Sequence, residues 1–537
     1  MKNNIFLIIL IALYGVVMFS VISWGVPTGT RPFTYNMDEW HQLEAVRALF
    51  TRGTPNVPGA AHGSIFQFLV SGIYLIPFVF LGLVNPFTIH SSIDNPAMQE
   101  RLFVILRSNT LLFGVLSIIV VAITAKKYLK TNPAFAAILM MGTPIWLTLS
   151  SYFKYDVALI FWIALSLFFL LRYAKKPTLR NFIYSAIPCA LSLATKVSAV
   201  PMLIIYSFSF FWFTPHWRKN YKYLVLGIIT FLGIFIILGV PDLIFRWSDY
   251  SEYLSSNLIT AVQNDNNYLL GVSNKWIYIL FTIFPMIFGH IFYVLFFITF
   301  IYWFIKIIKL FQVKKHVNYK SEIFLFFSLK IFLLSLVPLG LGATGNRSLV
   351  LLPFFALLSA KFIANILKLK KYKLYLVISI SILILLQFHE SSVVITAKYN
   401  KSALQRSSDW IVKNIHKDTV VGIENIPIYQ TLPDIMLKEY YLSTSNKHVK
   451  TNYAYEIVNS LSEKLPEVVI ITNRYMHEEF VIKSPKKDLL KRLKRENYKV
   501  VGEFMPNPQL YKLFYNDLDY YQSGLNFVFP VTIYEKG

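Results

Sequence analysis

The chain has 537 residues, of which 55% are hydrophobic, 17% aromatic and only 15% charged. Soluble globular proteins are about a quarter charged, so this composition excludes a soluble enzyme and identifies an integral membrane protein. The formal net charge of +24 raises nucleic acid as a partner, but its distribution argues against one. Lys and Arg gather in short runs between apolar stretches: KKYLK (126–130), RYAKKPTLR (172–180), HWRKNYK (216–222), KKHVNYK (314–320) and KLKKYK (368–373). Such runs mark cytoplasmic loops under the positive-inside rule, and no nucleic-acid partner is expected.

In chain order, the first element is an uncharged run of twenty residues, Ile5 to Trp24. It is too long for a signal-peptide core, and SVISWGVPTG (20–29) offers no small-x-small cleavage site, so it is expected as the first membrane span. Stretches able to cross a hydrocarbon layer of about 30 Å follow near 102–125, 133–151, 157–173, 182–196, 199–214, 222–240, 276–304, 323–341, 348–366 and 374–390. With a cytoplasmic N-terminus, these eleven spans place every basic run on the cytoplasmic side. The apolar stretch 63–84 would break that parity if it crossed, so it is expected to lie along or dip into the outer interface. Two long segments, 25–101 and 241–275, then lie outside.

After residue 390 the composition changes. The β-rich runs TVVGI (419–423), EVVIIT (467–472) and YKVVGEF (498–504) alternate with the helix-like SSDWIVKNI (407–415) and KKDLLKRLKREN (486–497). They predict a small extracytoplasmic α/β domain over 391–537, behind a polytopic helical domain over 1–390 whose first external loop, 25–101, carries juxtamembrane helices. The single cysteine, Cys189, sits in an apolar stretch, so neither a disulfide framework nor a cysteine-ligated metal site is available.

Chemistry-bearing residues collect on the outer side of this topology. In DEWHQLEAVRALF (38–50), Trp40, Leu43, Val46, Leu49 and Phe50 recur at helical spacing. This predicts an amphipathic helix with the pair Asp38 and Glu39 at its N-terminus, where the helix dipole favours carboxylates; the pair alone also reads as an ordinary helix start. A second acid, Asp156 in SSYFKYDVALIFW (150–162), stands at an outward turn. Alone it reads as a helix N-cap, but two acid sites on one face from separated parts of the chain point to a shared task. Lys196 in SLATKVSAVP, Arg347 in GATGNRSLVLLPFFALLSA, Arg107 in VILRSN and Lys154 supply positive charge on the same side. Each reads alone as an interfacial anchor or a snorkelling side chain; together they could bind an anion such as a lipid phosphate. His41 and His62 are further candidates, and with the acid pair they leave a divalent metal open as a cofactor.

The order of these features resembles the glycosyltransferases of the GT-C superfold that use polyprenyl-phosphate sugars, above all the protein-mannosyltransferase-like and aminoarabinose-transferase-like enzymes. The resemblance rests on the early acid pair, Asp156 before VALIFWIALSLFFLL, the LATK turn, FVILRSNTLLFGVL, the Arg before LVLLPFFALLSA, and SSDWIVKNIHKDTVVG. It implies a sugar donor carried on a polyprenyl phosphate and an inverting transfer on the outer face. It also implies Asp38 as base, with Glu39 completing the pair and Asp156 at the second acidic position. Arg347, Lys196 and Arg107 then match basic positions that stand near the lipid phosphate or support the site. Two departures are visible: AHGSIFQF (61–68) replaces a Pro-Pro-Leu-Tyr-like stretch, and the relatives' tyrosine beyond the acid pair is missing from DEWHQLEA. The acceptor is expected to be a glycan, a lipid or a protein, and the Lys, Ile, Asn and Phe bias suits a bacterial plasma membrane. The rival reading, a multi-pass transporter or lipid-linked-glycan flippase, would place its ionisable residues near mid-membrane in paired halves. A nucleotide-sugar enzyme would use the DLD triplet at 517–519, but no Gly-rich phosphate loop accompanies it.

Overall fold

The computed structural model describes residues 2–27, 34–55, 64–87, 96–241, 284–313, 316–336, 348–424, 453–472, 485–505 and 530–537, with a few isolated positions between 243 and 281. Helix α1 (Lys2–Ser20) is apolar all round: Tyr14 and Met18 are buried, while Ile5, Ile8, Ile9, Leu13 and Val16 stay exposed. A stripe of large exposed aliphatics at helical spacing on an apolar helix suits a lipid-facing surface, although its apolar part, Ile5–Ser20, is shorter than the helices that can cross a membrane on length. Among the described residues, six helices are long and apolar enough to cross a membrane: Ala97–Tyr128, Tyr155–Lys175, Tyr221–Gly239, His290–Gln312, Leu349–Ile366 and Lys373–Asn414. The chain is a helical membrane protein with a small sheet.

Helix α2 (Met37–Arg52) starts from an N-cap, Asn36, whose side chain accepts from the Asp38 amide at 3.1 Å. Helix α3 (Phe66–Phe80) has 15 residues, about 22 Å of helix against a hydrocarbon layer of about 30 Å. That length suits the interfacial role expected for 63–84. It packs against α2, α4 (Pro96–Tyr128) and α8 (Leu179–Thr195), and α7 (Tyr155–Lys175) lies between α4 and α8.

Two of the basic runs meet at one end of this bundle. Lys175, in the last turn of α7, donates to the Lys127 carbonyl at 2.9 Å, and Lys361 donates to the Leu129 carbonyl at 2.6 Å while pairing with Glu322 at 3.2 Å. Asp156 and Lys196 stand at the other ends of α7 and α8, and Arg107 lies in the half of α4 away from Lys127. The acid cluster and the basic loops therefore sit at opposite ends of the same helices.

Two expected spans are interrupted. Residues 133–151 form two short helices, α5 (Pro133–Met141) and α6 (Pro144–Leu149), separated at Gly142 and Thr143. In the stretch 276–304, Gly289 at φ +78° divides α11 (Phe284–Phe288) from α12 (His290–Gln312), which continues beyond 304. Pro144 cannot donate to a preceding turn, and a positive φ suits glycine, so each break has a local cause. The remaining helices are α9 (Pro201–Phe213), α10 (Tyr221–Ile234), which passes into a π turn at Phe235–Gly239, α13 (Lys320–Ser335), α14 (Leu352–Ile366) and α15 (Lys373–Tyr399). Helix α15 runs through residue 390 and ends nine residues beyond the expected boundary.

Beyond it, α16 (Ala403–Asn414) begins with a capping box between Ser402 and Gln405, and α17 (Pro485–Arg495) follows later. Five described strands, β1 (Val420–Ile423), β2 (Ala454–Ile457), β3 (Val468–Thr472), β4 (Tyr498–Phe504) and β5 (Val531–Lys536), form a sheet in the order β2-β1-β3-β5-β4. β1 is parallel to β2 and β3, and β5 is antiparallel to β3 and β4. β1, β3 and β4 coincide with the three β-rich runs of the sequence, and α16 and α17 with its two helix-like runs.

Candidate functional site

The N-terminal turn of α2 meets the start of α7, where backbone N–H groups have no partner inside their own helix. Glu39 Oε1 accepts from the Phe153 amide at 2.6 Å, and Gln42 Oε1 accepts from the Tyr155 amide at 3.1 Å. One face of α2 thus caps the segment that carries Lys154 and Asp156.

Glu39 is held further by Arg107, whose Nε and one terminal nitrogen donate to its two oxygens at 2.8 and 2.7 Å. The other terminal nitrogen of Arg107 donates to the carbonyls of Ile22 and Trp24 at 2.7 and 2.6 Å. Both side chains are completely buried. A bidentate guanidinium–carboxylate pair with its other terminal nitrogen on two carbonyls has four of its five donors engaged. Every guanidinium nitrogen of Arg107 is engaged within the protein. Glu39 likewise has both oxygens spoken for, and the pair holds α2, α4 and the end of the first span together.

Asp38, one residue earlier, has a different environment. Its side chain is 53% exposed and pairs with Lys154, which is 2% exposed. The Lys154 ammonium holds the Asp38 carboxyl below the usual carboxylate range, against the opposing effect of partial desolvation, and Lys196 and His41 act in the same direction as Lys154. His41 is exposed on α2. Asp156 lies in the first turn of α7, after the N-cap Lys154. It is 2% exposed, and its Oδ1 accepts from Lys196 at 2.6 Å while Oδ2 is buried without a hydrogen-bond partner among the described residues. So Asp156 does not act as the N-cap that its position suggests; its charge faces the end of α8. Lys196, at the C-cap of α8, keeps 20% exposure, and the ammonium groups of Lys196 and Lys154 lie 4.8 and 6.0 Å from the Tyr155 ring centroid. Two carboxylates and two ammonium groups from α2, α7 and α8 therefore converge around Tyr155.

The outer segment is tied to the same place. Ser64 Oγ donates to the Leu193 carbonyl at 3.0 Å, and the Ile65 amide donates to the Gly239 carbonyl at 2.9 Å. Arg347 and His62 lie outside the described residues. Among the described residues no group of three or more His, Cys, Asp or Glu side chains is arranged to hold a metal ion. Lys398 is a feature that sequence reasoning does not single out: it is 6% exposed, donates to Ser151 Oγ, and lies 4.9 Å from the Tyr152 ring centroid. In VVITAKYN it reads as an interfacial lysine at the end of a span; its burial comes from residues some 250 positions earlier.

Residues 100–238 match the family described as dolichyl-phosphate-mannose-protein mannosyltransferase. The likeness to protein-mannosyltransferase-like enzymes read from the sequence is therefore borne out over that stretch, which contains most of α4 and all of α5 to α10. No curated protein matches the chain. Among solved structures, ArnT from Cupriavidus metallidurans in the apo state is 13% identical with a TM-score of 0.46, covering 99% of this chain and 98% of that one. The same protein bound to undecaprenyl phosphate is 12% identical with a TM-score of 0.44, covering 98% of both chains. The archaeal oligosaccharyltransferase AglB from Archaeoglobus fulgidus, in complex with an inhibitory peptide and a dolichol-phosphate, is 13% identical with a TM-score of 0.44, covering 75% of this chain and 57% of that one.

Proposed function

We propose that the protein is a multi-pass membrane glycosyltransferase that moves a sugar from a polyprenyl-phosphate donor to an acceptor hydroxyl, with inversion, and that Asp38 is the base. The observation that carries this reading is the contrast among the three carboxylates: Glu39 is sealed by Arg107, Asp156 is buried against Lys196, and Asp38 alone is half exposed. The match of residues 100–238 to the mannosyltransferase family supports the reaction class. The acceptor oxygen attacks the anomeric carbon, its proton passes to the Asp38 carboxylate, and the bond to the phosphate oxygen breaks with its electron pair. The lipid phosphate leaves with added negative charge, which a fixed cation stabilises. Lys196, partly exposed beside the cluster, is the cation in reach of such a group, and Arg347 is the second candidate.

On this reading the acid cluster faces the outer side of a plasma membrane, the basic loops face the cytoplasm with the N-terminus, and the sheet region from about residue 400 is extracytoplasmic. A donor whose tail stays in the bilayer accounts for charges gathered at one end of the bundle. The test is transfer from a labelled polyprenyl-phosphate sugar pool in membranes carrying wild type or Asp38→Asn at matched expression. Loss of about 10²-fold or more in turnover, the range for a general base, with donor binding kept, supports the assignment. Equal transfer by the two proteins, in membranes where transfer depends on this chain, sinks it.

A further inference from the structure

Tyr35 stands three residues before Asp38, yet its ring is completely buried in the hydrophobic core of the C-terminal region, with Leu404, Ile411, Val421 and Ile533. Its hydroxyl shares a 2.7 Å hydrogen bond with Ser402 Oγ, and Ser402 is also the N-cap of α16. Trp24 packs edge-on against Tyr35, with ring centroids 4.8 Å apart. The backbone is closed as well: the Tyr35 amide donates to the Gly25 carbonyl at 3.0 Å. Gly25 has φ +66°, and a Cβ there would lie 2.3 Å from the Tyr35 ring. Only glycine fits that position.

Four residues before Ser402, Lys398 donates to Ser151 Oγ, next to Tyr152, on the segment that leads into Lys154 and Asp156. Its ammonium group also lies 5.8 Å from the Trp24 ring centroid. Tyr399, between them, hydrogen-bonds Ser20 at the end of α1. The junction between the last long helix and the sheet region therefore grips both segments that carry the charge cluster.

We propose that residues 398–402 form a clasp that positions the acid cluster, with Tyr35 and Ser402 as positioning residues for Asp38 and Lys398 as the positioning residue for the 151–156 segment. This rests on the glycosyltransferase reading of the site, and gives the C-terminal region a role in the chemistry at the bundle. A rigid body motion of that region carries Tyr35 with it, and through Asn36 the first turn of α2. Small displacements of a reacting group cost turnover more than ground-state binding.

The test compares donor kinetics of full-length wild type, Tyr35→Phe, Ser402→Ala and Tyr453→Phe at equal amounts of folded protein. Tyr453 is the control, because its hydroxyl is buried in the same core but bonds to the carbonyls of Ile411 and Ile415 at 3.3 and 3.1 Å, toward the opposite end of α16 from Ser402. Removing the Tyr35 hydroxyl is expected to lower kcat roughly 3- to 10-fold, the rate equivalent of one hydrogen bond, with donor KM kept. Tyr453→Phe is expected to keep wild-type kcat, and the double variant Tyr35→Phe/Ser402→Ala to be no slower than the slower single. Wild-type turnover in Tyr35→Phe, or equal losses in Tyr35→Phe and Tyr453→Phe, overturns the clasp. An activity-free arm separates this from failure of the catalytic reading: Asp38→Cys in a Cys189→Ala background is labelled with a membrane-impermeant maleimide. Adding Ser402→Ala is expected to change the labelling rate by roughly the same factor; an unchanged rate overturns the clasp whatever Asp38 does in transfer.

Discussion

Two of the polar clusters among the described residues of the helical part are built to opposite specifications. One surrounds the breaks in α5–α6 and α11–α12. There Gln387 Nε2 donates to the carbonyls of Gly142 and Phe288 at 2.9 and 3.0 Å, its Oε1 accepts from the Phe292 amide at 3.0 Å, and Ser391 donates to Gly142 at 2.6 Å. Glu390 takes the His290 amide at 3.0 Å on each of its oxygens. These backbone groups, freed by the breaks, are answered by side chains of α15, as an apolar surrounding requires. The other cluster joins α2, α7 and α8. It seals Glu39 with Arg107, then leaves Asp38 half exposed and one oxygen of Asp156 without a hydrogen-bond partner among the described residues. A cluster that satisfies every atom holds a fold together, and one that leaves chosen atoms unsatisfied has room for a ligand.

The comparison is broken most severely at Arg107. Arg107→Met leaves the Glu39 carboxylate buried without its partner, which costs about 3–5 kcal/mol for pairs of this kind. The expected result is a large fall in thermal unfolding temperature in detergent, with transfer lost because folded protein is lost. Asp38→Asn should instead lose transfer with its unfolding temperature nearly unchanged, and similar stability in both variants would refute the division between a sealed pair and an open acid.

Gln387→Leu sharpens the same division from the other side. It orphans the Phe288 carbonyl and the Phe292 amide, while Ser391 still serves Gly142. Two buried backbone groups left without partners cost about 2–6 kcal/mol together. Unfolding temperature should fall, while turnover per folded molecule stays at the wild-type value. A loss of turnover larger than the loss of folded protein would show that this network reaches the site.

Much of this contrast was not legible in the chain itself. The acid helix was, because Trp40, Leu43, Val46 and Leu49 keep a helical period, and β1, β3 and β4 were, because valine and isoleucine runs announce strands. The pairing of Glu39 with Arg107 was not, since the partners stand 68 residues apart and a lone Arg inside a span reads as a phosphate ligand or an anchor. The break at Gly289 was hidden because the side chain that answers it is Gln387, 98 positions later, which reads locally as the polar end of a span. β2 and β5 were missed as well, AYEI and VTIYEK being short and mixed in polarity. Local pattern shows elements; which polar atoms are answered depends on contacts across the fold.

The smallest effect is expected at Lys154, and it tests the open acid directly. Asp38 is held ionised by the Lys154 ammonium, so transfer that needs its carboxylate should persist as pH falls past the ordinary aspartate value and decline only through the depressed one. The associated stability has the same sign: it is present above the unfolded pKa and lost as pH falls through the folded pKa. Because Asp38 is 53% exposed, solvent screening limits that contribution to under about 1 kcal/mol. In Lys154→Met the carboxyl returns toward its ordinary value, so the acid limb of the pH–rate profile should move to higher pH, with turnover at neutral pH changed less than the limb itself. An acid limb that stays in place would mean that Asp38 is not the group whose ionisation limits transfer, even if Asp38→Asn is inactive.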